Sequence, residues 1–270
     1  MARVQPGALI GRAPSSRLGT LLLEAWLPVG LFAAWWFASA NSVALYFPSL
    51  QTILEAFRVT WIGPGAAGHL VPSLLNLAVG YVLATVIGVV VGTVLGLAGP
   101  LREAVSPILE FLRSIPGVAL LPLGLLILGI GSEMKVALIM YGALWPILLN
   151  TVDGVRGIDS TVLDVARSYR LPLRLRIWRI VLPAASPQII TGMRTSLSIA
   201  ITVIVFSEMI GSTEGIGYAI LQAQRNFSIP EMWAGMLLLG IVGYLLNIAF
   251  RGVEHRVLRW HRAANAVRGS

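Results

Sequence analysis

Stretches of about twenty apolar residues recur along this chain from residue 21 to residue 250, separated by shorter polar segments. Twenty residues of α-helix rise ~30 Å, the thickness of the hydrocarbon core of a bilayer. In lipid each backbone polar group must be satisfied within the protein, so spans of this length are helices. The pattern predicts an all-α polytopic membrane protein of about six transmembrane helices. Only 12% of the 270 residues are charged, against about 25% in a soluble domain. The formal net charge of +8 could suit nucleic acid, but the arginines flank the apolar runs and therefore read as membrane-orientation signals. The chain has no cysteine, which excludes disulfides and thiolate metal sites, and His69, His255 and His261 are scattered, so no metal site is expected.

The expected spans are 21–40, 70–98, a third ending at Gly131, 136–151 with Met134, 186–211 and 232–250. Residues 1–19 form a basic N-terminal segment. Residues 20–69 hold the first span and a long outer loop with a short helix at 49–59. Residues 70–255 form the main transmembrane domain, with a basic loop at 152–185, and 256–270 a basic tail. Trp26, Trp35 and Trp36 read as interface or packing aromatics, and Glu24 as a residue near enough to the span's start to reach water. In the second span Gly80, Ala84, Gly88, Gly92 and Gly96 recur every four residues, a stripe that lets another helix approach closely. Pro100, Arg102 and Glu103 mark a turn. Pro107, Pro116 and Pro122 then predict a broken or kinked third span. Residues 132–135 read as a tight outer turn. With the N-terminus in the cytoplasm, fifteen arginines lie on the inner side against Arg58, Lys135 and Arg225 outside. The positive-inside rule thus places both termini and the 152–185 loop in the cytoplasm.

That loop contains the most informative stretch, residues 164–183. Thr161 and Asp164 have the spacing of a capping box. Val162, Val165, Ala166 and Tyr169 make one apolar stripe on a short helix. Pro172 ends it, and Arg174, Arg176 and Arg179 sit on a second short helix before Pro183. The stretch resembles the EAA loop of the permease subunits of bacterial ABC importers, whose pattern is E-A-A, three residues, G, nine residues, I-x-L-P. Asp164, Val165 and Ala166 take the E-A-A positions, Arg170 the glycine, and Ile180, Leu182 and Pro183 the end. Spacing matches throughout, with Asp for Glu, Val for Ala and Arg for Gly. The glycine lets the family's chain turn, and Pro172 is the expected substitute here. R-S-I-P-G-V-A-L-L-P-L from Arg113, S-E-M-I-G from Ser207 and G-I-G-Y from Gly215 resemble the nitrate/sulfonate/taurine/bicarbonate branch. The resemblance covers residues 70–260.

The resemblance implies a type I, MetI-like transmembrane domain whose EAA loop is a coupling helix docked on an ABC ATPase. Asp164, Val165, Ala166, Tyr169, Arg170, Ile180, Leu182 and Pro183 form the expected docking set. It further implies a second permease subunit, giving a homodimer, and an extracytoplasmic substrate-binding protein. The chain lacks a G-x-x-x-x-G-K-S/T phosphate loop. It is therefore expected to be non-catalytic and to bind no cofactor, with ATP and Mg used by the partner ATPase. Charged residues within spans mark pathways or structural pairs. Glu208 is a pathway candidate or a residue paired near the outer end. Arg113 attracts an anion or braces the broken span, and Arg194 either faces the pathway or snorkels to the inner boundary. The alternative function is a stand-alone ion- or proton-coupled carrier, which would show inverted repeats; none is visible.

Overall fold

The computed structural model describes residues 17–40, 42, 44–63 and 66–259, with side chains described from Trp26 onward except residue 28. Glu24, the arginines up to residue 17 and those after residue 259, and His261 lie outside the side chains described. The chain divides into residues 1–55 and 56–270. In the first unit α1 (Arg17–Ser39) has the length of a span. Trp26 and Trp36 on it are exposed. The Ser39 hydroxyl accepts the Leu50 N–H at 3.0 Å, so the end of α1 is tied to the start of α2 (Leu50–Trp61). Ser49 caps α2 by accepting from the Thr52 N–H. The expected outer helix is therefore present, shifted by one or two residues.

In the second unit a π-helical turn, Ala66–Leu70, leads into α3 (Val71–Leu97). There follow α4 (Gly99–Arg113), α5 (Leu121–Leu128) and α6 (Ser132–Arg156). The short helices α7 (Ser160–Ser168) and α8 (Leu173–Arg176) come next, then α9 (Leu182–Gly211), α10 (Ile216–Arg225) and α11 (Ile229–Val257). Four helical runs among the described residues are long and apolar enough to cross a membrane, and the bent pair α4–α5 supplies a fifth, broken span.

The small-residue stripe is the seam between α3 and α6. A Cβ added at Gly80, Gly88, Gly92 or Gly96 would lie 2.6–2.9 Å from Ile139, Ile147, Thr151 or Val155 respectively. The partner shifts along α6 in step with the glycine, so the two helices run parallel in register. Adding a side chain would force them apart, a cost of about 1–3 kcal/mol per overpacked site. On its other flank α6 packs antiparallel to α9: Ser196 donates to the Ala143 carbonyl oxygen at 2.5 Å, and Gly154 meets Gln188 and Ala185. Ala84, Ile139, Ala143, Ile147, Ala200 and Val203 fill the common core. Parallel α3 and α6 require the chain to cross back between them, which α4 and α5 do.

The axes of α4 and α5 are bent by 77°. Pro116, with extended backbone (ψ 131), makes the break, whereas Pro107 lies inside α4 and Pro122 in the first turn of α5. Two expected turns are helix instead. Residues 100–103 belong to the first turn of α4, where the missing N–H of Pro100 leaves no bond unmade. Residues 132–135 are the first turn of α6, and Lys135 is buried there, not displayed outside. The fifth span does not begin at residue 186 either. Leu173 to Gly211 is one helical run of 39 residues. Pro183 cannot donate to the carbonyl four residues back, and a π-helical turn, Ile177–Val181, directly precedes it and absorbs the mismatch.

Candidate functional site

The 157–183 segment forms an elbow at the end of the bundle where α3 and α6 finish and α9 begins. Asp159 is the N-cap of α7, accepting the Thr161 N–H at 2.8 Å. This corrects the capping box expected at Thr161 and Asp164: Thr161 is already inside the helix, and Asp164 pairs with Arg167 at 3.0 Å on the exposed side. The Thr161 backbone N–H, with the Thr161 side chain second, holds the Asp159 carboxyl below its ordinary range.

The end of α7 explains the glycine of the family pattern. The Leu171 N–H reaches back to the Ala166 carbonyl at 3.1 Å and the Arg170 N–H to that of Arg167 at 2.8 Å. Together these are the two bonds of a Schellman motif. The motif needs a left-handed residue at the position Arg170 occupies, and Arg170 has φ 49. Arg170 therefore makes the turn itself, at a strain of about 1 kcal/mol. Pro172, expected to substitute for the glycine, instead precedes α8 in extended conformation.

The apolar stripe of α7 is split between two environments. Ala166 is buried, and Leu163 packs on the cluster of Val155, Val181, Ala185 and Ile189. Val162, Val165 and Tyr169 are 44%, 51% and 77% exposed. At the end of the set Leu182 packs against the same cluster, and Ile180 and Pro183 are half-buried. One side of the elbow anchors it to the bundle, and the other presents apolar groups that nothing in the described chain covers.

Glu208 sits at the opposite end of α9 and is wholly buried. Its Oε1 accepts from the Ser73 hydroxyl at 2.6 Å and its Oε2 from the Gly217 N–H at 2.9 Å. Ser73 in turn accepts the Ile216 N–H at 2.9 Å. Lys135, also buried, is 3.7 Å from Glu214 and within electrostatic reach of Glu208. Gly215 has φ 109, and a Cβ there would overlap the Glu208 carboxyl at 2.3 Å, so only glycine admits this close approach. The His69 Nδ1 accepts the Gly215 N–H at 3.3 Å. Of the two readings of Glu208 the geometry supports the structural pair: both oxygens are spent on a latch joining α3, α9 and α10. Arg194 pairs with Glu254 of α11 and so does not snorkel freely to the boundary. Arg113, exposed at the end of α4, lines a cavity of about 310 Å³ between α4 and α6.

The candidates are thus not assembled into one site; they fall at the elbow, the latch, the α4–α6 cavity and the α9–α11 pair of Arg194 with Glu254. Reading the sequence missed Asp159, Ser73, Lys135 and Glu254. Only Asp159 left a local signal, an acidic residue immediately before the apolar-periodic run. The partners of the others lie 60 to 135 residues away along the chain.

Residues 84–260 match the family described as binding-protein-dependent transport system inner membrane component. The chain is 30% identical over 257 residues to the taurine transport system permease protein TauC of Escherichia coli, covering 93% of both chains. It is 29% identical over 258 residues to the nitrate import permease protein NrtB of Leptolyngbya laminosa, covering 93% of this chain and 91% of the relative. Among solved structures, an inward-facing form of the MetNI methionine ABC transporter is similar with TM-score 0.61 at 24% identity. That match covers 71% of this chain and 95% of the other.

Proposed function

Because the chain belongs to the binding-protein-dependent transport system inner membrane component family and is the membrane-spanning permease subunit of an ABC importer, we propose how it engages its partners and what it carries. The elbow is the docking surface for an ABC ATPase, which uses ATP and Mg. The observation that carries this is the exposed apolar trio Val162, Val165 and Tyr169 on a helix whose far side is anchored to the bundle. Two copies of the permease form the pathway, and a substrate-binding protein delivers solute at the latch end. The positive-inside rule, applied to the arginines of the elbow and of the end of α11, supports a cytoplasmic position for that end of the bundle and for both chain termini. Taurine and nitrate, named for the two relatives, share a singly charged oxyanion. We assign the same class to this permease. The energy source is external, so alternating access is a rigid-body change driven by the ligand each state prefers.

The test is co-purification in mild detergent, with wild type beside Val165→Asp and Tyr169→Ala. An ATP-binding subunit retained by wild type and lost from Val165→Asp, at unchanged thermal stability, supports docking through this face. A well-folded wild type that retains no ATPase overturns it.

A further inference from the structure

We propose that the cleft between α4 and α6 binds a singly charged oxyanion carrying a short apolar tail, with Arg102, Arg113 and Arg156 as its cationic ligands. The proposal rests on the anion reading above and gives it a location. The cavity is about 310 Å³, at the lower end of the range for small-molecule sites. Arg102, Arg113 and Arg156 line it together with Glu110 and Asp153. Three guanidinium groups against two carboxylates leave a formal charge of +1, which one monoanion neutralises. None of the five is among the ion pairs of the described residues, and Glu110, Arg113, Asp153 and Arg156 are exposed, so a ligand would replace water on them without breaking a protein ion pair.

Arg113 ends the α4 half of the broken span, where an unpaired charge is costly and faces a water-filled cavity or pathway. Arg102 and Arg156 stand at the end of the bundle proposed to be cytoplasmic. Arginine suits the ligand because its planar fork donates two parallel hydrogen bonds to an oxyanion. Leu148 and Val152 supply an apolar wall on the same cavity, which accommodates a tail that bare nitrate lacks. The α4 helix leaves α3 at the same end of the bundle as the elbow, so the cleft is reachable from the proposed cytoplasmic side. The same chemistry describes an alkylsulfonate and the phosphodiester of an anionic lipid.

The two sources are separable. The permease with its ATPase subunits is placed in nanodiscs of phosphatidylcholine alone, or of phosphatidylcholine and phosphatidylglycerol in equal parts, and radiolabelled ethanesulfonate is titrated. Saturable binding in phosphatidylcholine, weakened about tenfold or more by Arg113→Gln and by Arg156→Gln but not by Arg225→Gln at the other end of the bundle, supports a solute site. If phosphatidylglycerol displaces ethanesulfonate, and mass spectrometry finds that lipid retained by wild type and lost from the two cleft variants, the oxyanion is a headgroup and the site stands. Equal ethanesulfonate binding by wild type and both cleft variants overturns the site. So does the absence of both ethanesulfonate binding and arginine-dependent lipid retention. ATPase retention by each variant reports its folding, and loss of the ATPase from wild type would count against the proposed function instead.

Discussion

The latch around Glu208 and the elbow around Ala166 stand near opposite ends of one continuous helical run, yet they are built from opposite materials. At the latch, polar groups are buried and matched: a carboxylate, a hydroxyl, two backbone N–H groups and a lysine interlock α3, α6, α9 and α10. At the elbow, apolar groups are exposed and unmatched, on two short helices joined by a strained left-handed residue. Buried polar networks fix one arrangement, because a half-satisfied one is costly. Exposed apolar surface is stable only once a partner covers it. Among the described residues the chain therefore buries its polar groups at the latch and leaves apolar surface uncovered at the elbow.

That contrast can be broken by mutation. Glu208→Ala removes the acceptor of Ser73 and Gly217 and leaves the buried Lys135 with Glu214 alone, and should cost about 3 kcal/mol or more. Thermal unfolding of the purified protein reads this as a large drop in Tm; an unchanged Tm would mean the latch is not structural. Next, Ala166→Asp buries a charge and should cost about 2 kcal/mol or more. Val165→Asp, one residue away, should leave Tm nearly unchanged while abolishing ATPase co-purification. If both substitutions unfold the protein equally, the division of α7 into anchored and exposed sides is wrong. Arg170→Gly relieves the left-handed strain and should raise stability by about 1 kcal/mol, with ATPase binding intact. A lower Tm would indicate that the arginine side chain outweighs its backbone cost.

The smallest effect concerns acid. The Asp159 carboxyl titrates below its ordinary value of 3.8. Its cap therefore stabilises α7 fully above that value and loses the contribution as pH falls through the depressed pKa. Hydrogen exchange at the α7 amides, compared with Asp159→Asn, should show fraying in that acid window only in the wild type. Equal fraying in both would remove Asp159 from the account.

What could be read from the sequence was local or periodic. The glycine stripe announced a close helix contact because spacing by four survives whatever the partner is, although α6 as that partner was not visible. The broken third span followed from proline chemistry at Pro116. The elbow's position followed from spacing, but its mechanics did not: a match to a capping box at Thr161 hid the better cap at Asp159. Pro172 stood out as the substitute for the glycine, whereas the backbone takes the left-handed turn at Arg170. The latch was the least legible. Lys135 looked like an outer-loop lysine because Glu214 lies far along the chain, and Glu208 stayed open between a pathway residue and one paired near the outer end because its partner Ser73 is 135 residues away.

The 39-residue run from Leu173 to Gly211 also sets how the two ends can communicate. A helix of that length is about 58 Å long, and its irregularities, the π-helical turn and the prolines at 183 and 187, lie close to the elbow. Beyond Pro187 no proline or π-helical turn interrupts the shaft. A push that tilts it by about 5° displaces one tip relative to the other by about 5 Å. Force applied at the elbow would thus arrive at Glu208 as movement of a whole rigid arm, and the latch is where that arm must either hold or let go.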